Sequence, residues 1–172
     1  YFLAVSREDV INNSYNARLD NFSKTVERGK ILSSDGTVLA VTEEAEDGSE
    51  VRRYPFGPLF SHVVGYSARG KTGLEALGNF YLLTSHTNPV SQIGEALTGR
   101  KNPGDQVVTT LDVRLQQAAS DALGDKKGAV VAMEPASGRV LAMVSKPDFD
   151  PNTISEEWEE LNEDDGGVLV NR

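Results

Sequence analysis

The stretch that decides the fold is SHVVGYSARGKTGLEALGNFY, residues 61 to 81. Three patterns that belong to unrelated catalytic sites overlap in it. Residues Gly65 to Thr72 match G-x-x-x-x-G-K-[ST], the phosphate-binding loop in which backbone N–H groups and a lysine hold a nucleotide. Residues Lys71 to Gly73 form the K-T-G triplet of serine acyl-transfer enzymes, and Gly65 to Arg69 fall one residue short of a nucleophile elbow. These chemistries exclude one another, so the rest of the chain must decide between them.

The composition narrows the classes of protein. The chain has 172 residues, 38% of them hydrophobic and 25% charged, which is typical of a globular chain with one domain, or one domain and part of another. Its net charge of -9 argues against a nucleic-acid partner. With no cysteine and two histidines, the chain offers neither a disulfide framework nor a cysteine- or histidine-rich metal site. No apolar run of the sequence is long enough to span a bilayer.

Local patterns predict an α+β first half. Residues 6 to 22 carry a capping serine and apolar residues at helical spacing, so they predict a helix. Residues 30 to 42 predict a hairpin, because Ser34-Asp35-Gly36 supplies the side-chain cap and the glycine of a tight turn. A second hairpin tip is expected within residues 43 to 50, whose acidic side chains we interpret as solvated. A helix is predicted from residue 72 or 73 to about residue 82.

The second half begins at a break. A short helix is predicted at residues 93 to 97, and KNPGDQ (101 to 106) is a candidate domain boundary. Asp112 can cap a helix that Gly124 ends, and two apolar strands follow within residues 128 to 145. Since both strands are apolar at nearly every position, we expect them to be covered on both faces.

The cover available for these two strands is limited. The predicted helix can lie on one face, and the residues after the strands offer Phe149, Ile154, Trp158 and Leu161. Residues 156 to 165 are acidic, and we expect them to form a solvated helix and loop. The C-terminal third therefore predicts the beginning of a larger layered domain.

Each of the three overlapping patterns meets an objection. A phosphate-binding loop requires a parallel sheet, whereas the strands of residues 128 to 145 turn back as an antiparallel hairpin. Arg69 stands where a nucleophile elbow needs a small residue, and two isolated histidines offer no clear catalytic base. No serine of the chain has a lysine three positions on, so the K-T-G triplet has no S-x-x-K partner here. A glycine-rich structural turn is therefore favoured, with nucleotide binding by Gly65 to Thr72 kept as an alternative.

Six segments occur in the order found in one known family. They are YNAR (15 to 18), RGKILSSDGTVLA (28 to 40), YPFGPLFSHVVGY (54 to 66), GKTGLE (70 to 75), VVTTLDVRLQQAA (107 to 119) and GAVVAMEPASGRVLAMVSKPDFDPN (128 to 152). With them the chain resembles the membrane-proximal part of a class B penicillin-binding protein, a D,D-transpeptidase of bacterial cell-wall synthesis. One departure is Ser33-Ser34, where the family has Asp-Arg, so an ion pair made by those two would be missing.

The resemblance implies an architecture and a role. Residues 1 to 104 would form an α+β pedestal, also described as a dimerisation domain, and residues 105 to 172 the beginning of an α/β transpeptidase domain. The pedestal would be non-catalytic and would hold the catalytic domain above the membrane, with a membrane anchor preceding the chain. The parent protein would cross-link peptidoglycan through a serine acyl-enzyme, bind penicillin and need no cofactor or metal. This segment, without S-x-x-K, would be inactive.

The resemblance also implies partners, a location and a set of structural positions. Other cell-wall synthesis proteins, or a second copy of the chain, would be partners on the extracytoplasmic face of the cell membrane. A stand-alone extracytoplasmic binding module is the remaining alternative. We expect Arg28 and Glu75 to form an ion pair between the first hairpin and the turn before the next helix. The positions with structural roles are Arg28, Gly29, Gly36, Tyr54, Pro55, Gly57, His62, Gly65, Gly70, Gly73 and Glu75.

Overall fold

The computed structural model describes residues 25 to 86 and 101 to 172. The predicted helices at residues 6 to 22 and 93 to 97 lie outside these ranges. The strands are β1 (Val26–Glu27), β2 (Ile31–Leu32), β3 (Val38–Glu44), β4 (Glu50–Arg53), β5 (Asn102–Pro103), β6 (Val107–Val108), β7 (Gly128–Met133) and β8 (Val140–Lys146). A 3-10 helix (Gly57–Phe60) precedes the α-helices α1 (Ser61–Val64), α2 (Gly73–Leu77), α3 (Asn79–Leu82), α4 (Val113–Leu123) and α5 (Trp158–Glu163). The α+β class predicted from the sequence is confirmed.

Both predicted hairpins are present in one four-stranded sheet of order β4-β3-β2-β6, which we call the first sheet. Strands β2 and β3 are antiparallel, and their turn is closed by Asp35, whose Oδ1 accepts from the Thr37 N–H at 3.0 Å. The same carboxylate accepts from the Ser33 hydroxyl at 2.5 Å, and these hydrogen bonds lower the pKa of Asp35 to about 2. Ser33 is thus a buried member of the turn.

The sequence predicts a break at residues 101 to 106. In the structure, strands at and just after this segment pair with strands of the first half of the chain. Strand β5 lies parallel to β1, and β6 lies parallel to β2 as the fourth strand of the first sheet. The Gly104 N–H donates to the Glu27 carbonyl at 2.8 Å, and the Val107 N–H donates to the Lys30 carbonyl at 2.9 Å. One strand of the first sheet therefore lies beyond residue 104, and a division of the chain at that residue stays a prediction.

The single helix expected from residue 72 to 82 is interrupted in its middle. It consists of α2 and α3, which meet at Gly78, a residue with φ of -84° and ψ of 1°. A side chain at Gly78 would lie 3.2 Å from Val107 Cγ2 on β6, so the helices pass close to the first sheet at this glycine. The main core joins the first sheet to the 3-10 helix, α1 and α3, and its buried members are Ile31, Leu39, Ala40, Tyr54, Phe60, Val64, Leu82 and Leu111.

The hairpin β7–β8 has one covered face. Helix α4 packs on it through Ala119, which clusters with Ala142 and Val144 of β8. On the opposite face, Val131 and Met133 are 52% and 54% exposed. Within this chain the outer face is therefore open, and cover on both faces stays a prediction for the larger layered domain, since the apolar pattern is typical of a strand that is buried twice.

The tail, residues 147 to 172, packs elsewhere than expected. Its apolar residues Phe149, Ile154 and Val168 form a core with Tyr66, which belongs to the glycine-rich turn of residues 65 to 72. The Tyr66 ring lies 5.8 Å from the Phe149 ring in an edge-to-face arrangement. The tail thus covers the glycine-rich turn and leaves the outer face of β7 exposed.

Helix α4 begins at the predicted cap, and this offers a first test. Asp112 accepts from the N–H groups of Arg114 and Leu115 at 2.8 and 3.0 Å. We expect Asp112→Ala to lower the free energy of unfolding by about 1 kcal/mol, because two helix-terminal donors lose their acceptor. Urea unfolding followed by circular dichroism would measure the loss. Asp125→Ala, just beyond the other end of the helix, is the control, and an equal effect of both substitutions would contradict the cap.

Candidate functional site

The centre of the candidate site is Glu75, on the first turn of α2, whose side chain is 0% exposed. Arg28 donates from Nε to Glu75 Oε2 at 2.6 Å, so the ion pair expected from the sequence is present. Arg28 also donates from Nη2 to the Glu75 carbonyl and from Nη1 to Asn79 Oδ1, both at 2.7 Å. One side chain after β1 therefore fixes the beginning of α2 and the beginning of α3.

A second arginine, Arg52, which no sequence motif indicated, completes the site. Arg52 donates from Nε to Glu75 Oε1 at 2.8 Å and from Nη1 to the Gly29 carbonyl at 2.8 Å. Side chains alternate along a strand, so Arg52 shares a face of β4 with the buried Tyr54, while Arg53 points to solvent. That alternation, together with the expected structural role of Tyr54, was the signal that could have identified Arg52.

Burial sets the electrostatics of this Arg28–Glu75–Arg52 cluster. It holds two guanidinium groups and one carboxylate, with the arginine side chains 11% and 9% exposed. Burial lowers the pKa of Arg28, and the Glu75 charge acts in the opposite direction. Burial and the same carboxylate raise the pKa of Tyr54, whose hydroxyl lies 3.3 Å from Glu75 Oε1. Because both carboxylate oxygens are occupied and closed to solvent, the cluster can hold segments of the chain together but cannot exchange protons with a substrate.

The glycine-rich turn is closed on itself. The Thr72 N–H donates to the Tyr66 carbonyl at 3.1 Å, and the Tyr66 N–H donates to the Thr72 hydroxyl at 3.4 Å. Gly65 has a φ of 80°, and a side chain there would come within 2.1 Å of the Thr72 carbonyl oxygen. The two ends of the turn therefore meet at a distance that only glycine allows.

This geometry does not support nucleotide binding by Gly65 to Thr72. Residues Ser61–Val64, which would have to be a strand, form helix α1, and the helix after the turn is only five residues long. The Thr72 hydroxyl, which would hold a magnesium ion, accepts the Tyr66 N–H. The match to the phosphate-binding pattern is a coincidence of glycine spacing.

The other two catalytic interpretations also lack their geometry. Ser67 lies next to the Tyr54 hydroxyl at 3.4 Å and, among the described residues, makes no hydrogen bond with a histidine. Arg69 occupies a φ of 57° in place of the small residue of a nucleophile elbow. His62 Nε2 is instead paired at 2.9 Å with the Pro147 carbonyl of the tail. The histidine therefore joins two parts of the chain.

The remaining predicted positions lie in turns or at close backbone contacts. Pro55 lies in the turn that leaves β4, and Gly57 donates its N–H to the Tyr54 carbonyl at 3.0 Å. Positive φ values are found at Gly36, Gly57, Gly65, Gly70 and Gly73. Gly29 is a close-approach position, since a side chain there would lie 1.9 Å from the Asp105 carbonyl oxygen.

Two amide side chains, the buried Gln116 and the exposed Asn152, connect the first sheet region to the second half. Gln116 of α4, 0% exposed, donates from Nε2 to the Leu59 carbonyl and to the Met143 carbonyl, both at 2.8 Å. Its Oε1 accepts from the Met143 N–H at 2.8 Å. Asn152 of the tail makes a similar double contact with the backbone of Tyr54, at 2.9 and 3.1 Å. The two halves are therefore joined by backbone-specific hydrogen bonds as well as by apolar packing.

The His62 contact makes stability depend on pH. Burial lowers the pKa of the His62 imidazole below its ordinary value of 6.5, although the Pro147 carbonyl and Asp148 act against this. The native state then binds fewer protons than the unfolded state, so the free energy of unfolding falls as pH drops below about 6.5. We expect His62→Gln to flatten that dependence in urea titrations at a series of pH values. An unchanged slope would contradict the assignment.

The described residues form neither a metal site nor a membrane-spanning helix. Within residues 25 to 86 and 101 to 172, no group of histidine, aspartate or glutamate side chains is arranged to hold a metal ion. The helices of these same ranges are all too short or too polar to cross a bilayer.

The fold is of the α+β class, and its glycine-rich turn of residues 65 to 72 is a structural turn. Comparison with family models agrees with this class. Residues 28–107 match the penicillin binding protein A dimerisation domain, and residues 128–166 match the penicillin binding protein transpeptidase domain. The chain belongs to the penicillin-binding protein family of D,D-transpeptidases.

Individual relatives give the same result. The peptidoglycan D,D-transpeptidase PbpA of Mycolicibacterium smegmatis is 34% identical over 90% of this chain and 34% of its own length. The structure of penicillin-binding protein A from M. tuberculosis, an imipenem acyl-enzyme complex, has a TM-score of 0.73 and 30% identity, covering 86% of this chain and 37% of that one. A D,D-transpeptidase domain from Eggerthella lenta has a TM-score of 0.70 and 38% identity, covering 86% and 32%. The chain spans about a third of the length of these relatives.

Proposed function

We propose that this chain is the non-catalytic scaffold of a peptidoglycan D,D-transpeptidase, which positions the catalytic domain above the cell membrane. The observation that carries the proposal is Gln116. Its buried side chain hydrogen-bonds the Leu59 carbonyl, within the dimerisation-domain match, and both backbone groups of Met143, within the transpeptidase match. A domain held in this way transmits the orientation of the pedestal to the strands on which the transpeptidase domain is built.

The resemblance supports a location and partners for the whole protein. The pedestal stands on the outer side of the cell membrane, where peptidoglycan is assembled, and contacts other cell-wall synthesis proteins or a second copy of itself. The chemistry of the whole protein is acylation of a serine by a peptide or a β-lactam, as the imipenem complex of the M. tuberculosis relative illustrates for that protein. In this chain no serine is followed by lysine at the third position, so we assign that serine to sequence outside it.

A fluorescent β-lactam tests both parts of the proposal. The 172-residue chain is expected to remain unlabelled, whereas a longer protein that includes it and the S-x-x-K serine is labelled covalently. In that longer protein, Gln116→Ala is expected to slow acylation, because the three hydrogen bonds through which Gln116 links the two family regions are lost.

The neighbouring glutamine provides a matched control. Gln117 is exposed and, within the described part of the chain, its side chain bonds to Asp121 Oδ1 of the same helix, so Gln117→Ala is expected to leave the acylation rate unchanged. Covalent labelling of the 172-residue chain would contradict the non-catalytic assignment. Equal acylation rates for the two alanine variants would contradict the positioning role.

A further inference from the structure

A small cavity beside the buried cluster presents an excess of positive charge. Its volume is about 240 Å³, and Arg28, Arg52 and Lys71 are the cations that line it. One carboxylate, Glu50, also lines it, and that group is paired with Lys101 at 2.8 Å. The buried Glu75 carboxylate carries one negative charge, so it neutralises only one of the two positive charges of Arg28 and Arg52. The cavity is therefore locally cationic in a chain whose net charge is -9.

One donor at this cavity has no acceptor. Arg52 is 9% exposed, and its Nε and Nη1 make hydrogen bonds, but its Nη2 is buried and has no partner among the described residues. A buried guanidinium N–H without an acceptor costs about 1–3 kcal/mol, and such groups are rare in folded proteins. The unused donor belongs to a side chain that lines the cavity.

Two further hydrogen-bond donors, Lys71 and Ser67, line the cavity. Lys71 forms no ion pair with any residue of the described ranges. Ser67 Oγ accepts from the Tyr54 hydroxyl at 3.4 Å, which leaves the serine proton for another acceptor. An arginine, a lysine and a hydroxyl on one cavity are the donor set that proteins use for carboxylates and phosphates.

We propose that this cavity binds a small oxyanion, a carboxylate or a phosphate group, between Arg52, Lys71 and Ser67. The anion would accept from Lys71 and Ser67 and, once the Arg52 guanidinium turns toward the cavity, from its Nη2, and it would neutralise the excess charge of the cluster. Burial already lowers the pKa of Arg28, and a bound anion would relieve that effect. The ligand would thereby stabilise the junction of β4, the glycine-rich turn and the segment after β1.

This site differs from a nucleotide-binding loop, although Lys71 belongs to both patterns. A phosphate-binding loop uses the backbone N–H groups of its glycine-rich segment. Here the N–H groups of Gly65 and Thr72 donate to the Ser61 and Tyr66 carbonyls. The proposed donors are side chains, so no affinity for a nucleotide base follows.

The test is an NMR titration of the 172-residue chain at neutral pH with sodium phosphate, sodium acetate and, at matched ionic strength, sodium chloride. We expect saturable shifts of the Arg52 side-chain N–H and of residues 67 to 71 with phosphate or acetate but not with chloride. Tighter binding of phosphate would assign a phosphate group as the natural ligand, and equal or tighter binding of acetate would assign a carboxylate. Chloride-like shifts with both salts would overturn the proposal.

Two lysine substitutions distinguish binding at the cavity from a general effect of the net charge of the chain. Lys71→Gln removes a cation from the cavity without touching the buried cluster, so the fold is retained, and we expect affinity to fall by about tenfold. Lys126→Gln makes the same charge change on an exposed residue just beyond α4 and is expected to bind like the wild type. Equal affinities of the two variants would show that the anion is not bound at the cavity.

Discussion

Glu75→Ala is expected to lower the free energy of unfolding by about 3–5 kcal/mol. The substitution removes the carboxylate that compensates two arginines, each about nine-tenths buried, and leaves both guanidinium groups without their counter-charge. Such a loss is a large fraction of the stability of a domain of this size. Urea unfolding followed by circular dichroism would measure it.

An exposed ion pair of the same sheet provides the control. Glu43 lies 4.0 Å from Arg53, and both side chains are more than half exposed, so Glu43→Ala is expected to cost about 0.5 kcal/mol or less. A double-mutant cycle of Arg28→Ala and Glu75→Ala should show strong coupling, because each charge is costly mainly in the absence of the other. If Glu75→Ala unfolds at the same urea concentration as Glu43→Ala, the cluster does not stabilise the fold.

The cluster also shows which contacts of the site could be predicted from the sequence and which could not. Arg28 and Glu75 are the charged members of two short motifs, so pairing them needed only the order of those motifs. Arg52 and Asn79 belong to no such pattern, because Arg52 of β4 meets the Glu75 carboxylate and Asn79 of α3 accepts from Arg28 only in the folded chain. A strand's alternation can indicate which side chains face inward, but it cannot indicate which buried group they will meet.

The packing of the tail differs from the expectation for a related reason. The sequence predicts that its apolar residues cover the nearest apolar surface along the chain, the hairpin of residues 128 to 145. In the structure Phe149 contacts the rings of His62 and Tyr66, which precede it by more than eighty residues. Apolar patterning predicts that a side chain will be buried, whereas the partner is decided by the path of the chain, here by the pairing of His62 with the Pro147 carbonyl.

The second large effect is expected from Gly29→Ala, which should cost about 3 kcal/mol. A side chain at Gly29 would lie 1.9 Å from the Asp105 carbonyl oxygen and 2.9 Å from the Gly104 carbonyl oxygen. These are backbone atoms, so no side-chain rotation can relieve the contact. The Gly29 N–H also donates to the Leu82 carbonyl at 2.9 Å, so separating the segments would break the hydrogen bonds that join β1, β5 and α3.

Gly36→Ala separates this steric effect from the backbone conformation of glycine. Gly36 has a φ of +86° but has no atom within 4 Å of an added side chain, so its substitution should cost only the strain of a positive φ, about 1 kcal/mol. Gly29 has no positive φ, so its cost should arise from the close approach alone. Unfolding of both variants in urea gives the comparison. If Gly29→Ala is no more destabilising than Gly36→Ala, the segments around residues 29 and 105 do not pack at the distance described, and the pairing of β5 with β1 must be looser than the structure shows.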